Sequence, residues 1–134
     1  MKKNNTKGFT LIELLVVIAI IAVLASIVLV NVSNYISKGK DAAAKGNLST
    51  LLTNGAVFFD SGDTYADFNL SAGYTSVTSS LSTAGYTTTY TGNDTNWCAS
   101  VPMKAIGGKT FCVDSSGKKT ESTNSTCADQ ACPN

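Results

Sequence analysis

The sequence predicts an α+β protein: one long N-terminal helix, half membrane-like and half amphipathic, packed on a small antiparallel β-sheet. Three observations carry this. Residues 9–30 are apolar apart from Thr10, Glu13 and Ser26. Apolar residues then recur at helical spacing as far as Phe59. After Gly85 the spacing changes to two, with Gly, Asn and Ser at the breaks. The chain divides on this reading into residues 1–8, 9–30, 31–59 and 60–134, and no internal repeat is evident.

Composition narrows the function before any element is placed. All ten basic residues of the 134 are lysines, and there is neither arginine nor histidine. Histidine acid–base chemistry and histidine metal ligation are thereby excluded, as are arginine forks on phosphate or guanine. Charged residues make up 14%, against about a quarter in an average domain. A neutral, hydroxyl-rich surface does not suit nucleic acid, and no specific nucleic-acid site is identifiable.

The first element follows from residues 1–30. Lys2, Lys3 and Lys7 precede the apolar run. Helix over residues 9–30 rises about 33 Å, enough to cross a hydrocarbon core. The lysines favour a cytoplasmic N-terminus, so the single span points its C-terminus outward. A removable secretory signal requires a small-x-small site soon after the run. Ala25-Ser26-Ile27 does not fit, and Ala42-Ala43-Ala44 comes too late. An ordinary single-span anchor leaves Glu13 unexplained. A carboxylate costs about 2.5–3.5 kcal/mol at the centre of a span and less near its end, so a partner for it is expected.

Gly8-Phe9-Thr10-Leu11-Ile12-Glu13, after a short lysine-rich leader and before a long apolar helix, resembles the class III signal of type IV pilins and type II secretion pseudopilins. The resemblance covers residues 1–36, including Leu14-Leu15-Val16-Val17-Ile18-Ala19-Ile20-Ile21 and Ala25-Ser26-Ile27-Val28. It implies cleavage after Gly8 by a membrane prepilin peptidase, methylation of the new Phe9 amine, and an assembly role for Glu13. It also implies identical subunits as partners in a helical homopolymer, an inner-membrane assembly platform, membrane lipid before assembly, and no cofactor. The physics agrees, because an ammonium at Phe9 and a carboxylate at Glu13 are each costly in lipid and offset one another when paired. Ala19, Ala22, Ala25 and Ser26 are small enough for close helix approach, or else simply face lipid. One departure stands out. Many family members carry a proline just before an asparagine in the second half of this helix, whereas Val30 precedes Asn31 here. Proline would kink the helix; Gly39 is a weaker flexible point. Loss of residues 1–8 removes three lysines, leaving seven against nine acids, a side-chain net charge of −2.

Residues 31–59 continue as helix. Leu48, Leu51, Leu52, Gly55, Ala56 and Phe59 form one stripe, with Lys38, Lys40, Asp41, Lys45 and Asn47 as polar interruptions. Gly39, Gly46 and Gly55 each cost about 1 kcal/mol relative to alanine. A continuous helix over residues 9–59 would be about 75 Å long, more than one small core can cover, and suits a fibre strut with a domain at one end.

The remaining elements are short. Asp60-Ser61-Gly62-Asp63 is a turn cluster. Residues 64–82 carry scattered anchors at Tyr65, Phe68, Leu70, Tyr74, Val77 and Leu81, with a helical turn or two expected over 79–84. Tyr86, Thr88 and Tyr90 alternate with threonines. Trp97, Ala99, Val101 and Met103 present an apolar face, with Cys98, Ser100 and Lys104 opposite. Phe111 and Val113 continue that face opposite Cys112 and Asp114, and residues 118–123 form a fourth, edge strand. Turns at Gly92-Asn93-Asp94, Gly107-Gly108 and Ser115-Ser116-Gly117 make this an antiparallel meander.

Four cysteines beyond residue 97 in an exported region read as two disulfides. They allow three connectivities, and sequence alone does not choose. The favoured pairing is Cys98 with Cys112 across the hairpin and Cys127 with Cys132 in the tail. The rival ties the tail to the sheet by Cys98–Cys127 or Cys98–Cys132. Zinc is disfavoured by irregular spacing and an oxidising location. Asp60, Asp63 and Asp67 fit no EF-hand pattern and read as solvated turn carboxylates, so no metal is expected. A Ser–Lys hydrolase has no supporting context. Asn93-Asp94-Thr95 and Asn124-Ser125-Thr126 match glycosylation sequons in a composition where such matches are frequent.

The function implied is structural rather than enzymatic: a subunit of a type IV pilus-like surface fibre, of the kind that serves adhesion, twitching motility or DNA uptake. The runner-up is a type II secretion pseudopilin in a short periplasmic fibre, which shares everything in residues 1–36. A cysteine-closed C-terminal loop resembles the pilins more. A monomeric membrane-tethered binding domain is a third reading, and it gives Glu13 no role.

Overall fold

The computed structural model describes residues 8–62, 64–105, 107–123 and 126–133. Lys2, Lys3 and Lys7, Asp63, and the Asn124-Ser125 sequon therefore lie outside the described residues. Seven elements follow in order: helix α1 (Leu11–Asp60), a 3₁₀ segment (Tyr65–Leu70), helix α2 (Ala72–Thr83), and strands β1 (Thr89–Gly92), β2 (Trp97–Pro102), β3 (Thr110–Asp114) and β4 (Lys119–Ser122). The strands form one antiparallel sheet in the order β1-β2-β3-β4. This is an α+β fold with a long N-terminal helix and a small meander.

The chain forms two compact units, Met1–Tyr35 and Ile36–Asn134. Every described residue of the first is exposed. An 18-residue window of α1 reaches a mean hydropathy of 3.1 with none of it buried, so this helix is long and apolar enough to cross a membrane.

The second unit contains the core. Ala44, Leu48 and Leu51 of α1 pack with Phe68, Tyr74, Leu81, Tyr86, Trp97, Ala99, Val101, Met103, Phe111 and Val113. The sheet face expected to be apolar is thus the face in the core. The helix stripe is rotated from the expected one. Leu48, Leu51 and Gly55 are buried, but Ala56 and Phe59 are exposed, and Asp41 and Ala44 take buried places instead. Phe59 stacks on Tyr65 at 4.7 Å between ring centroids.

At Gly55 the helix must be bare. A Cβ there would lie 2.8 Å from the Trp97 indole nitrogen, so glycine lets the largest core side chain reach the helix backbone. The Thr/Ser-rich stretch before the sheet is more helical than expected, with a three-turn α2. Ser71 caps it by accepting from Tyr74 N at 3.2 Å, and Tyr74, Val77 and Leu81 face the core at helical spacing. Docking of that face outweighs the poor helix propensity of seven hydroxyl residues among its twelve.

Candidate functional site

Two places carry the residues singled out from sequence. The first is the start of α1. Thr10 and Glu13 form a reciprocal cap. Glu13 Oε2 accepts from Thr10 N at 2.8 Å and from Thr10 Oγ1 at 2.6 Å, and Glu13 N donates to Thr10 Oγ1 at 3.4 Å. This is a T-x-x-E capping box, with the carboxylate at the positive end of the helix dipole. The pattern was legible as Thr10-Leu11-Ile12-Glu13 before an apolar run, and the sequence reading assigned Glu13 only to assembly. Glu13 Oε1 accepts no hydrogen bond within the described chain, so one carboxylate oxygen is open to another donor. Glu13 stands among Phe9, Ile12, Val16 and Val17 along a shallow apolar groove. Phe9 is 77% exposed, and Gly8 has nothing within 4 Å of where a Cβ would project.

The second place is the outer face of the sheet. All four cysteines meet there, but the favoured pairing is overturned. Cys98 bonds Cys127 and Cys112 bonds Cys132, with Cα–Cα distances of 5.7 and 5.8 Å. The reason is register. Cys98 lies opposite Asp114, and Cys112 lies opposite Ser100, so Cys98 and Cys112 are diagonal neighbours. Diagonal Cα atoms are about 7–8 Å apart, too far for a disulfide. The tail supplies both partners. Ala128 and Ala131 bridge across Asp129 and Gln130, whose φ values are +49° and +60°, as in a two-residue primed turn. Cys127 and Cys132 flank this turn, and each reaches a different strand. The sulfurs of Cys98 and Cys112 end 3.2 Å apart, so the two disulfides stack. This tail buries the face that alternation left outward: Cys98 and Cys112 are wholly buried and Ser100 is 2% exposed. The described residues bring one group of potential metal ligands together, Cys98, Cys112 and Cys132, and all three are held in disulfides.

Two buried carboxylates hold this architecture, and neither was anticipated. Asp114 accepts from Ser116 N, Lys118 N and Cys132 N, the last at 2.9 Å. It therefore fixes both the β3–β4 turn and the Cys132 backbone beside Cys112. Asp41, expected as a polar interruption, accepts from Tyr86 Oη at 2.7 Å, Lys104 N at 2.9 Å and Ala105 N at 2.7 Å. Burial pushes both carboxyls up, but their hydrogen bonds outweigh it, aided at Asp41 by the Lys45 charge, and both rest below the usual carboxylate range. Burial, then the hydrogen bond to Asp41 and its charge, push the Tyr86 phenol up to about 12. Asn93 spends its side-chain carbonyl capping its own turn, accepting from Thr95 N and Asn96 N at 2.9 and 2.7 Å.

Residues 3–29 match the family model described as the prokaryotic N-terminal methylation motif. The chain is 41% identical over 70 residues to the type IV major pilin protein PilA of Myxococcus xanthus, covering 52% of this chain and 32% of that one. It is 45% identical over 71 residues to a fimbrial protein of Moraxella nonliquefaciens, covering 48% and 46%. It is 52% identical over 46 residues to a type IV major alpha-pilin of Moraxella bovis, covering 34% and 29%. The matched part thus spans less than half the length of these relatives. No solved structure matches the chain. The methylation motif at residues 3–29 and the partial identity to pilins make this chain similar to the type IV pilin family, with a class III signal like that family's.

Proposed function

We propose that the chain is a non-enzymatic structural subunit of a type IV pilus-like surface fibre, assembled through its N-terminal helix. The observation that carries this reading is the methylation motif at the head of a helix whose apolar surface is bare over the whole first unit. In this reading the prepilin peptidase cuts after Gly8 and methylates Phe9, and the subunit waits in the cytoplasmic membrane with its C-terminus outside. The disulfides fit an oxidising exterior. An assembly platform then transfers the subunit into a fibre of identical copies. Glu13 keeps its cap on Thr10 through Oε2 and receives the Phe9 ammonium of a neighbour on Oε1, so that neither charge is left alone in an apolar surrounding. The named relatives are pilins and a fimbrial protein, which favours a pilus over a pseudopilus.

The test is Glu13→Ala, with fibres sheared from cells and the membrane-bound protein measured alongside. Insertion is expected to be unchanged or slightly improved, because a polar group leaves the span. Fibre yield is expected to collapse, since an unpaired buried amine costs several kcal/mol. Glu13→Gln is expected to be nearly as damaging. Wild-type yield from Glu13→Ala at equal membrane level would put the tethered monomer first. Intact-mass analysis of extracted protein should show a chain starting at methylated Phe9, and an uncut Met1 would remove the processing step.

A further inference from the structure

The second unit is charged by end. Its near end is where it begins at Ile36, and its far end is where α1 stops at Asp60. Lys38, Lys40 and Lys45 are on α1 at the near end. Lys104 and Lys109 join them from the β2–β3 loop, which is tied there by the bonds of Lys104 N and Ala105 N to Asp41. Lys38, Lys45 and Lys109 line a shallow hollow of about 280 Å³ with Asp41 and Glu121. Both acids are already engaged, Asp41 by three hydrogen bonds and Glu121 by an ion pair with Lys45.

The side of the far end next to α1 and β1 is opposite in sign. Asp60 closes α1, Asp67 is in the 3₁₀ segment, and Asp94 is brought beside it by the bond from Tyr65 N to its carbonyl at 3.2 Å. All three are exposed, as are Lys38, Lys40 and Lys109, and among the described residues none of these six is in an ion pair. The remaining lysines, Lys118 and Lys119, stand at the β3–β4 turn, at the same end of the sheet as Asp94 but on the opposite side of the sheet order from β1. Lys38 and Asp60 are separated by about 33 Å of helix, several Debye lengths at physiological salt, so the two ends do not neutralise one another within one chain.

We propose that these two ends are the two halves of one subunit–subunit contact: Lys38, Lys40 and Lys109 of one copy meet Asp60, Asp67 and Asp94 of the next. This rests on the fibre reading above. Subunits inserted by the same basic leader all face the same way, so contacts along their fibre are heterologous, one surface meeting a different one. A basic end and an acidic end on one chain satisfy that requirement with a single sequence. The same arrangement sets like charges against each other in an inverted pair, which selects against it. A second copy fits both ends, whereas an anionic lipid surface would use only the lysines.

Charge reversal in the full-length chain tests this through sheared-fibre yield at equal membrane level. Lys38→Glu with Lys109→Glu, and separately Asp60→Lys with Asp94→Lys, are each expected to lower the yield by about tenfold, as like-charge juxtaposition disfavours a contact. The chain carrying all four changes restores opposite ends and is expected to recover most of the yield, a result misfolding does not produce. Unchanged yield from either reversed end overturns the proposal, as does a four-fold variant no better than its parents. Loss from the lysine changes alone, without loss from the aspartate changes, assigns the lysines to another anion such as a lipid headgroup and also overturns it. Absence of fibres from the wild type, by contrast, removes the fibre reading itself.

Discussion

The two units of this chain share one helix and solve the burial problem in opposite ways. In the first, side chains such as Ile21 and Leu24 are 58% and 57% exposed, and no described residue is buried. Its polar contacts are local: the Thr10–Glu13 cap, and Ser26 and Asn31 bonding back to Val23 and Ile27 carbonyls. In the second, Leu48, Leu51, Phe68, Leu81 and Val101 are wholly buried, and two disulfides close the opposite sheet face. Helical hydrogen bonding therefore does not distinguish them. What differs is where the apolar surface finds its cover. The second unit finds it within its own core, whereas every described residue of the first is exposed. Trp97, the single tryptophan, is buried in the second unit, so its emission reports that unit's unfolding alone. Far-UV dichroism follows the helix of both, and together the two probes separate the units in detergent solution.

The largest expected break falls on the second unit alone. Replacing Cys112 and Cys132 by serine opens a loop with a sequence separation of 20, and replacing Cys98 and Cys127 opens one of 29. Each loss is expected to cost about 3 kcal/mol, read as a lower denaturant midpoint of Trp97 emission while most helix dichroism persists. Non-reducing peptide mapping should find 98–127 and 112–132. A 98–112 peptide would mean the β2–β3 register is shifted from the one described.

A smaller break acts through the buried carboxylates. Asp41 and Asp114 have folded-state pKa values below their unfolded ones. Each therefore contributes stability that is fully present above the unfolded value of about 3.9, and this is lost as pH falls through the lower folded value. The Trp97 midpoint should be flat from neutral pH down to the unfolded value and drop below it. Asp41→Ala removes the acceptor of Lys104 N, Ala105 N and Tyr86 Oη and should cost about 2–3 kcal/mol at neutral pH, as charge-assisted bonds do when a buried donor is orphaned. It should also flatten part of the acid limb. A midpoint in Asp41→Ala that falls with acid as steeply as wild type would remove Asp41 from that limb.

The comparison also explains what sequence could and could not show. No described residue of the first unit is buried, so composition and one motif describe it nearly completely. The sheet was legible from its period of two because one face is apolar throughout, at Trp97, Ala99, Val101, Phe111 and Val113. Disulfide connectivity was not, because it turns on a register difference of two residues set by the loop between β2 and β3. Asp41 and Asp114 were invisible for a related reason: each accepts bonds from residues brought in by the tertiary fold, and nothing local marks a buried acid. The three turns of α2 were missed because propensity argues against helix in a hydroxyl-rich segment, while Tyr74, Val77 and Leu81 dock it. The Thr10–Glu13 capping box was legible and was passed over.

A third break tests the closest approach of helix and sheet. Gly55→Ala sets a methyl against the Trp97 ring, 2.8 Å from Nε1. The gain in helix propensity, about 1 kcal/mol, opposes an overpacking cost of about 1–3 kcal/mol, for a net loss of about 1 kcal/mol. A blue shift or quenching of Trp97 emission in the native state would accompany it as the indole moves. A higher midpoint with unchanged emission would mean that the ring yields without cost.

The smallest expected effect has the opposite sign, and it comes from the same substitution on the same helix. Gly46 lies nine residues before Gly55, is exposed, and has nothing within 4 Å of an added Cβ. Its backbone is helical within α1 and its φ is not in the left-handed region, so alanine fits without strain. Glycine at such a position only adds conformational freedom to the unfolded chain, so Gly46→Ala should stabilise the second unit by about 0.5–1 kcal/mol. The Trp97 midpoint should rise, with native emission unchanged because no core atom moves. Fibre yield then sharpens the comparison between what is covered within the chain and what is covered between chains. If the Gly46 surface is free in the fibre, yield follows wild type. If a neighbouring copy packs on that bare stretch of helix, a methyl that stabilises the subunit lowers the yield, and the gain in midpoint and the loss in assembly appear in one variant.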